Sequence, residues 1–122
     1  MNKEFVPYHI ALDMKSIGFN EPCFGYYHLN NEFQFFAYIR SCNTNSEFKF
    51  YPTVPTHQQA FRWFREVHGL CGVVTPNSYE ILDKNDENYL WGCIEEVILP
   101  SYEEAEISCL VKLIEIVKLN NH

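Results

Sequence analysis

Histidine and cysteine are the residues of this sequence best suited to bind a transition metal, but their spacing does not predict a metal site. No two histidines form an H-x-x-x-H pair, and no histidine–cysteine spacing matches a zinc site. The cysteines number five and contain no C-x-x-C pair. We therefore predict reduced thiols, with no disulfide, no metal and no cofactor. The positions concerned are His9, His28, His57, His68 and His122, and Cys23, Cys42, Cys71, Cys93 and Cys109.

A cysteine nucleophile paired with a histidine base is the next chemistry to consider, and His68 and Cys71 lie three positions apart. Such a thiol needs its pKa lowered by a cation or by the start of a helix. This pair lies at the C-terminal end of a predicted helix, where the dipole acts in the opposite direction. We therefore interpret Cys71 as a packed residue beneath the turn and His68 as a partner for the last helix carbonyls.

Carboxylate pairs are candidates for general acid–base catalysis, which requires a carboxyl group shielded from water. Here they fall in a polar turn or in a first helical turn, where they are typically solvated or act as caps. The sequence also has no P-loop, no G-x-G-x-x-G and no G-x-S-x-G motif. We assign no catalytic residue from the sequence. The carboxylates concerned are Glu95 with Glu96, Glu103 with Glu104, and Asp83 with Asp86 and Glu87.

Aromatic and basic residues in two segments are the remaining candidates, and they suggest binding rather than catalysis. Alternation along the segment "EFQFFAYIR" puts Phe36, Tyr38 and Arg40 on one face, where Tyr26 and His28 of the preceding strand could join them. A sheet face of this kind can stack single-stranded bases. The alternative is that helices or a partner protein cover it. A second candidate binding segment is "THQQAFRWFREVHGL", which carries Arg62 and Arg65.

The charge of the chain argues against binding to duplex nucleic acid. Its formal net charge is −7, and its nine Lys and Arg are scattered, with Arg62 and Arg65 the densest pair. Duplex binders need a basic stripe to neutralise phosphates. The N-terminal segment has no secretory pattern, and no apolar run approaches the roughly eighteen residues of a membrane helix. We predict a cytoplasmic protein that binds no membrane.

The sequence pattern of helices and strands predicts one α+β domain over residues 1–122. We expect an antiparallel sheet of about four strands and three helices, in the order α-β-β-α-β-β-α. The first helix runs from about Tyr8 to Ile17 and ends at Gly18. A strand pair, "CFGYYH" and "EFQFFAYIR", follows it. On the second of these strands the residues expected on the core face are Phe33, Phe35, Ala37 and Ile39. "FKFY" is interpreted as a short edge strand.

The second and third helices carry clear start and stop signals. The second helix begins with a T-x-x-Q capping box and ends at Gly69, and its predicted apolar stripe is Ala60, Phe61, Phe64 and Val67. The third begins with S-x-x-E directly after a proline. Because the arginines lie on the back of the second helix, we interpret it as a core helix and not as a recognition helix. The core face predicted for the third helix consists of Ala105, Cys109, Leu110, Leu113, Ile114 and Val117.

Three blocks, "IALDMKSIGFNEPCFGYY", "QQAFRWFREVHGL" and "YEEAEISCLVKLIEIV", resemble a family of small proteins from gut Bacteroidales and their phages and mobile elements. That family has no assigned activity, so the resemblance transfers no site residues. It implies a small intracellular protein of phage or mobile-element origin.

The leading hypothesis from the sequence is a non-enzymatic accessory protein that binds a host or phage protein, or a second copy of itself. A single-stranded nucleic-acid binder that uses the sheet aromatics is the alternative. A small enzyme of unknown class comes third, and a shielded carboxylate or thiol beside a deep cleft would favour it.

Overall fold

The described part of the chain has the α+β architecture predicted from the sequence. A computed structural model describes residues 4–29, 32–36, 43–49, 51–84, 90–91 and 98–120. These residues form three helices and six strands, and every strand pair is antiparallel. The strands lie in two three-stranded sheets instead of one sheet of about four strands. In chain order the elements are α1 Tyr8–Ser16, β1 Gly25–His28, β2 Glu32–Phe35, β3 Thr53–Val54, α2 His57–His68, β4 Leu70–Val74, β5 Tyr79–Asp83, β6 Leu90–Trp91 and α3 Tyr102–Asn120.

The chain divides into two compact units, Met1–His57 and Gln58–His122. In the first unit, the sheet order is β2-β1-β3, with Tyr26 opposite Gln34 on one side. The strand predicted at "FKFY" is absent from its described residues, and the third strand forms just after it at Thr53–Val54. Pro52 and Pro55 flank this strand and keep it short, because proline cannot donate to a ladder.

Helix α1 ends as the sequence predicts. Gly18 has a φ of 98°, a left-handed conformation that glycine adopts without a Cβ clash. The N–H of Phe19 then donates to the Met14 carbonyl at 2.9 Å, which returns the chain to the core. Ile10, Ala11 and Met14 form the buried face of the helix.

The second unit packs helix α3 against strands β4 and β5 of a sheet with the order β4-β5-β6. The capping prediction for α3 is confirmed, since the N–H of Glu104 donates to Ser101 Oγ at 3.2 Å. All six residues of its predicted core face are buried, and Ile116 joins them. Gly92, in the segment "YLWGCIEEVIL", predicts a bulge or a close backbone approach, and it lies outside the described residues.

The buried face of α2 is rotated relative to the predicted stripe. Ala60 and Phe64 are fully buried as predicted, but Val67 is 57% exposed and Trp63 is buried. The prediction for Val67 is therefore wrong. The physical reason is that residues four positions apart lie on the same face of a helix, so the position that follows Ala60 and Phe64 on the buried face is 68 and not 67. The ring of His68 packs there on Trp63 and Phe64.

A glycine in β4 allows the second unit to pack closely. A Cβ built on Gly72 would lie 2.9 Å from Cys109 Sγ and 2.9 Å from Phe61 Cε1. Cys109 comes from α3 and Phe61 from α2, so both helices approach the strand at this position. The half-buried ring of Phe61 occupies the space that a larger residue at 72 would require.

Candidate functional site

The candidate site is a group of five aromatic rings on the first unit, which we call the aromatic patch: Tyr26, His28, Phe36, Phe48 and Tyr51. Tyr26 and His28 alternate with Tyr27 along β1, so they lie on the opposite face of the sheet from it. Tyr27 is buried and donates from its hydroxyl to the Val6 carbonyl at 2.6 Å. All five rings of the patch, by contrast, keep part of their surface exposed.

The rings of the patch contact one another in mixed orientations. Tyr26 is central: its centroid lies 4.7 Å from that of Phe48 and 5.1 Å from that of Phe36, with tilted planes. Tyr51 lies 6.0 Å from Tyr26 with the planes 16° apart, and 4.9 Å from His28. Tilted and offset ring pairs of this kind are the favourable arrangements for aromatic side chains. The five residues therefore form one continuous, partly exposed aromatic surface.

A buried asparagine holds in place the loop that contributes Phe48 and Tyr51. Asn45 donates from Nδ2 to the Phe19 carbonyl at 2.8 Å. Its Oδ1 accepts from the Thr53 N–H at 2.9 Å and from the Thr53 hydroxyl at 3.0 Å. The Tyr27 N–H also donates to the Pro52 carbonyl at 3.1 Å, beside Tyr51. The loop is thus fixed at both ends, and its rings are positioned by backbone and amide hydrogen bonds.

The structure brings together three of the binding residues predicted from the sequence. Tyr26, His28 and Phe36 belong to the patch. Tyr38 and Arg40 lie outside the described residues, so their place beside the patch stays a prediction. Sequence reasoning missed Phe48 and Tyr51, although both belong to the aromatic segment "FKFY".

The opposite face of the first sheet is also aromatic, but one of its predicted core residues is exposed. Phe33 is half-buried and contacts Tyr27 and Phe5, with ring centroids 5.9 Å and 4.6 Å away. Phe35 is 55% exposed, so its assignment to the core was wrong. It ends an edge strand and pairs with Gly25, which offers no side chain to cover it. A Cβ on Gly25 would lie 2.6 Å from Phe33, so the close approach of Phe33 requires glycine there.

Arg62 and Arg65 lie on the second unit and are both exposed. Arg62 Nε lies 3.9 Å from Glu66 Oε1 one turn later, and both side chains are largely in water. An exposed pair of this type contributes at most about 1 kcal/mol.

We expect the double variant Arg62→Gln, Arg65→Gln to change the free energy of unfolding by no more than about 0.5 kcal/mol, because both side chains are on the surface. Urea denaturation measures this directly, and single Arg62→Gln and Arg65→Gln variants serve as controls. A loss well above that value in the double variant would show that the arginines make a structural contact.

The thiols and histidines of the second unit that the structure describes give no support to a nucleophile. Burial, followed by the nearby Cys71 and Glu106, raises the pKa of Cys109 to about 12. This thiol is therefore protonated at neutral pH and unreactive. Nε2 of His68 has no hydrogen-bond partner among the described residues, so this nitrogen does not receive a proton from Cys71. Within those same residues, no group of three or more His, Cys, Asp and Glu is placed to bind a metal.

Comparison with known proteins identified no match to this chain among family models, curated proteins or solved structures. None of the helices in the described ranges is both long enough and apolar enough to cross a membrane.

Proposed function

We propose that this chain is a non-enzymatic accessory protein that binds another protein through the aromatic patch. The patch is the observation that carries the proposal. Five adjoining rings leave part of their surface in water, although aromatic side chains are the ones that gain most from being covered. Tyrosine in particular is enriched at the centre of protein interfaces, where its ring is buried and its hydroxyl finds a partner.

The surroundings of the patch support a protein partner rather than a polyanion. The residues that flank Phe48 in the chain are Glu47 and Lys49, both exposed and of opposite charge. On the strands, His28 stands opposite Glu32 and Tyr26 opposite Gln34. This mixture of aromatic rings with a few polar and oppositely charged groups resembles the centre and rim of a protein interface.

The proposal extends to a cytoplasmic protein of phage or mobile-element origin, whose partner is a host protein, a phage protein or a second copy of this chain. This part rests on the three sequence blocks that resemble such proteins.

A matched pair of variants tests the proposal. Tyr51→Ala removes a ring from the patch, and Tyr102→Ala removes a 48% exposed tyrosine at the start of α3 in the second unit. Tagged wild-type protein and both variants are incubated with lysate of the native host, and bound proteins are quantified by mass spectrometry. Sedimentation at several concentrations measures self-association in parallel.

We expect wild type and Tyr102→Ala to bind a partner, or to self-associate, with equal affinity. We expect the affinity of Tyr51→Ala to be at least tenfold weaker. Such a loss corresponds to about 1.4 kcal/mol, which is usual for an aromatic residue at an interface centre. Equal binding by all three proteins would contradict the role of the patch. Circular dichroism and a denaturation midpoint for each variant separate lost binding from lost folding.

Two observations favour single-stranded nucleic acid as a second candidate ligand of the patch. The planes of Tyr26 and Tyr51 are close to parallel, which suits stacking on bases. The charge is also unevenly distributed: residues 1–57 contain four basic and five acidic residues, whereas residues 58–122 contain five and eleven. The unit that carries the patch is therefore close to neutral. The net charge of the whole chain overstates the electrostatic repulsion between this unit and the phosphates of a nucleic acid.

Fluorescence anisotropy with a labelled oligonucleotide at two salt concentrations distinguishes the two candidates. A protein-binding patch gives no signal at physiological salt. A nucleic-acid site gives binding that Tyr51→Ala weakens and that falls with added salt. If Arg62 and Arg65 contact phosphates, their double glutamine variant flattens the dependence of log affinity on log salt by about one unit per lost contact.

A further inference from the structure

The side chain at the end of α2 is a histidine in an apolar setting. The His68 ring lies edge-on to Trp63, with centroids 4.8 Å apart and planes at 78°, and it also contacts Phe64 at 6.1 Å. Trp63 and Phe64 are both buried. The Nε2 atom of His68 is itself buried and has no hydrogen-bond partner in the described part of the chain. A neutral imidazole tolerates this environment far better than an imidazolium does.

The charged groups around this ring do not offset the burial of a positive charge. On α2, Arg65 lies one turn before His68, and Glu66 lies 3.9 Å from Arg62. On the strands that follow, Leu70 pairs with Asp83, and the Lys84 N–H donates to the Gly69 carbonyl at 2.7 Å. No carboxylate of the described residues forms an ion pair with His68. The helix C-terminus favours a cation there, which opposes the effect of burial.

We propose that His68 is an acid-sensitive latch at the junction of α2 and β4. As a neutral ring it packs on the buried Trp63 and Phe64 of the preceding turn and keeps the last turn of α2 closed. Protonation places a charge on a nitrogen without a partner, and the ring then leaves this position for water. Gly69, with a φ of 69°, is the hinge between α2 and β4 about which the last turn of α2 can open.

The pH range of this latch follows from the direction of the pKa shift. Burial lowers the pKa of His68 below the ordinary value of 6.5. Above about 6.5 both the folded and the unfolded chain are neutral at this position, and the stabilisation is complete. As the pH falls below that value, the unfolded or opened form binds the proton first. Stability is therefore lost from about pH 6.5 downward, until the folded form also becomes protonated. Burial lowers the pKa of His57 as well, so the test must isolate His68.

The experiment compares wild type with His68→Phe, which keeps a planar ring and removes the proton site, and with His9→Gln, which changes an exposed histidine. The unfolding equilibrium constant is measured by urea denaturation at about pH 7.5 and about pH 5. Hydrogen exchange at both values, corrected for the intrinsic effect of pH, reports opening in the last turn of α2 relative to α3. An NMR titration of the wild-type imidazole follows His68 directly and does not depend on any variant folding.

The latch predicts that acid increases the unfolding constant more in wild type and His9→Gln than in His68→Phe. It also predicts that amides in the last turn of α2 lose protection before those of α3, and that His68 titrates below the ordinary range of histidine. Equal acid sensitivity in all three proteins, simultaneous loss of protection in both helices, or a His68 midpoint at or above about 6.5 would each overturn it.

Discussion

Replacement of Phe64 by alanine is expected to lower the free energy of unfolding by about 3–5 kcal/mol. The side chain is fully buried on α2 and packs against Trp63 with centroids 5.0 Å apart. Truncation removes apolar area from the core and leaves a cavity that the neighbouring rings fill only in part. Leu110→Ala, in the middle of the buried face of α3, is expected to cost about 2–5 kcal/mol for the same reason.

Val67→Ala is the matched control for this prediction, because it truncates an apolar residue on the exposed side of the same helix. We expect it to change stability by no more than about 0.5 kcal/mol. Urea denaturation of the three variants at neutral pH gives the comparison. A loss for Val67→Ala similar to that for Phe64→Ala would mean that the buried face of α2 includes the position predicted from the sequence stripe.

Asn45→Ala is expected to lower the free energy of unfolding by about 1–3 kcal/mol or more. The amide of Asn45 bonds the Phe19 carbonyl and both the N–H and the hydroxyl of Thr53. Asn45 and Thr53 are buried, so water does not readily replace these bonds. Leaving a buried group unsatisfied costs about 1–3 kcal/mol, and more than one group is affected here.

Asn20→Ala is the control for this loss. Asn20 is exposed, and among the described residues its Oδ1 accepts one hydrogen bond, from the Ser46 N–H at 2.8 Å. We expect its replacement to cost no more than about 1 kcal/mol. Because Asn45 fixes the loop that carries Phe48 and Tyr51, Asn45→Ala is also expected to weaken binding at the aromatic patch. Stability of Asn45→Ala within error of wild type would show that the loop is held by its other contacts alone.

The stability prediction for Phe64→Ala and the binding prediction for Tyr51→Ala concern different units of the molecule, and this makes them separable. Tyr51→Ala alters the half-buried patch of the first unit, whereas Phe64→Ala alters the core of the second. The pH dependence assigned to His68 concerns the end of α2. A binding defect accompanied by a normal denaturation midpoint therefore points to the patch rather than to loss of folding.

Local signals in the sequence were sufficient to predict the helices. The S-x-x-E box starts α3 because the serine hydroxyl accepts a backbone N–H that would otherwise have no helical partner. Gly18 and Gly69 end α1 and α2 because each adopts a positive φ that other residues rarely accept. The six residues predicted to be buried on α3 are buried, since a long helix with one apolar face has a single way to cover it.

Only the tertiary structure determined how the strands group and which rings meet. Sequence alternation predicts that strands exist, but pairing depends on contacts distant in the chain, and the strands form two sheets instead of one. The exposure of Val67 and of Phe35 depends on which neighbours cover each position, and the local pattern does not contain that information. The aromatic patch requires Phe48 and Tyr51 to fold back onto Tyr26. Asn45, at the start of this loop, bonds the Phe19 carbonyl 26 positions away, and local propensity does not encode such a long-range contact.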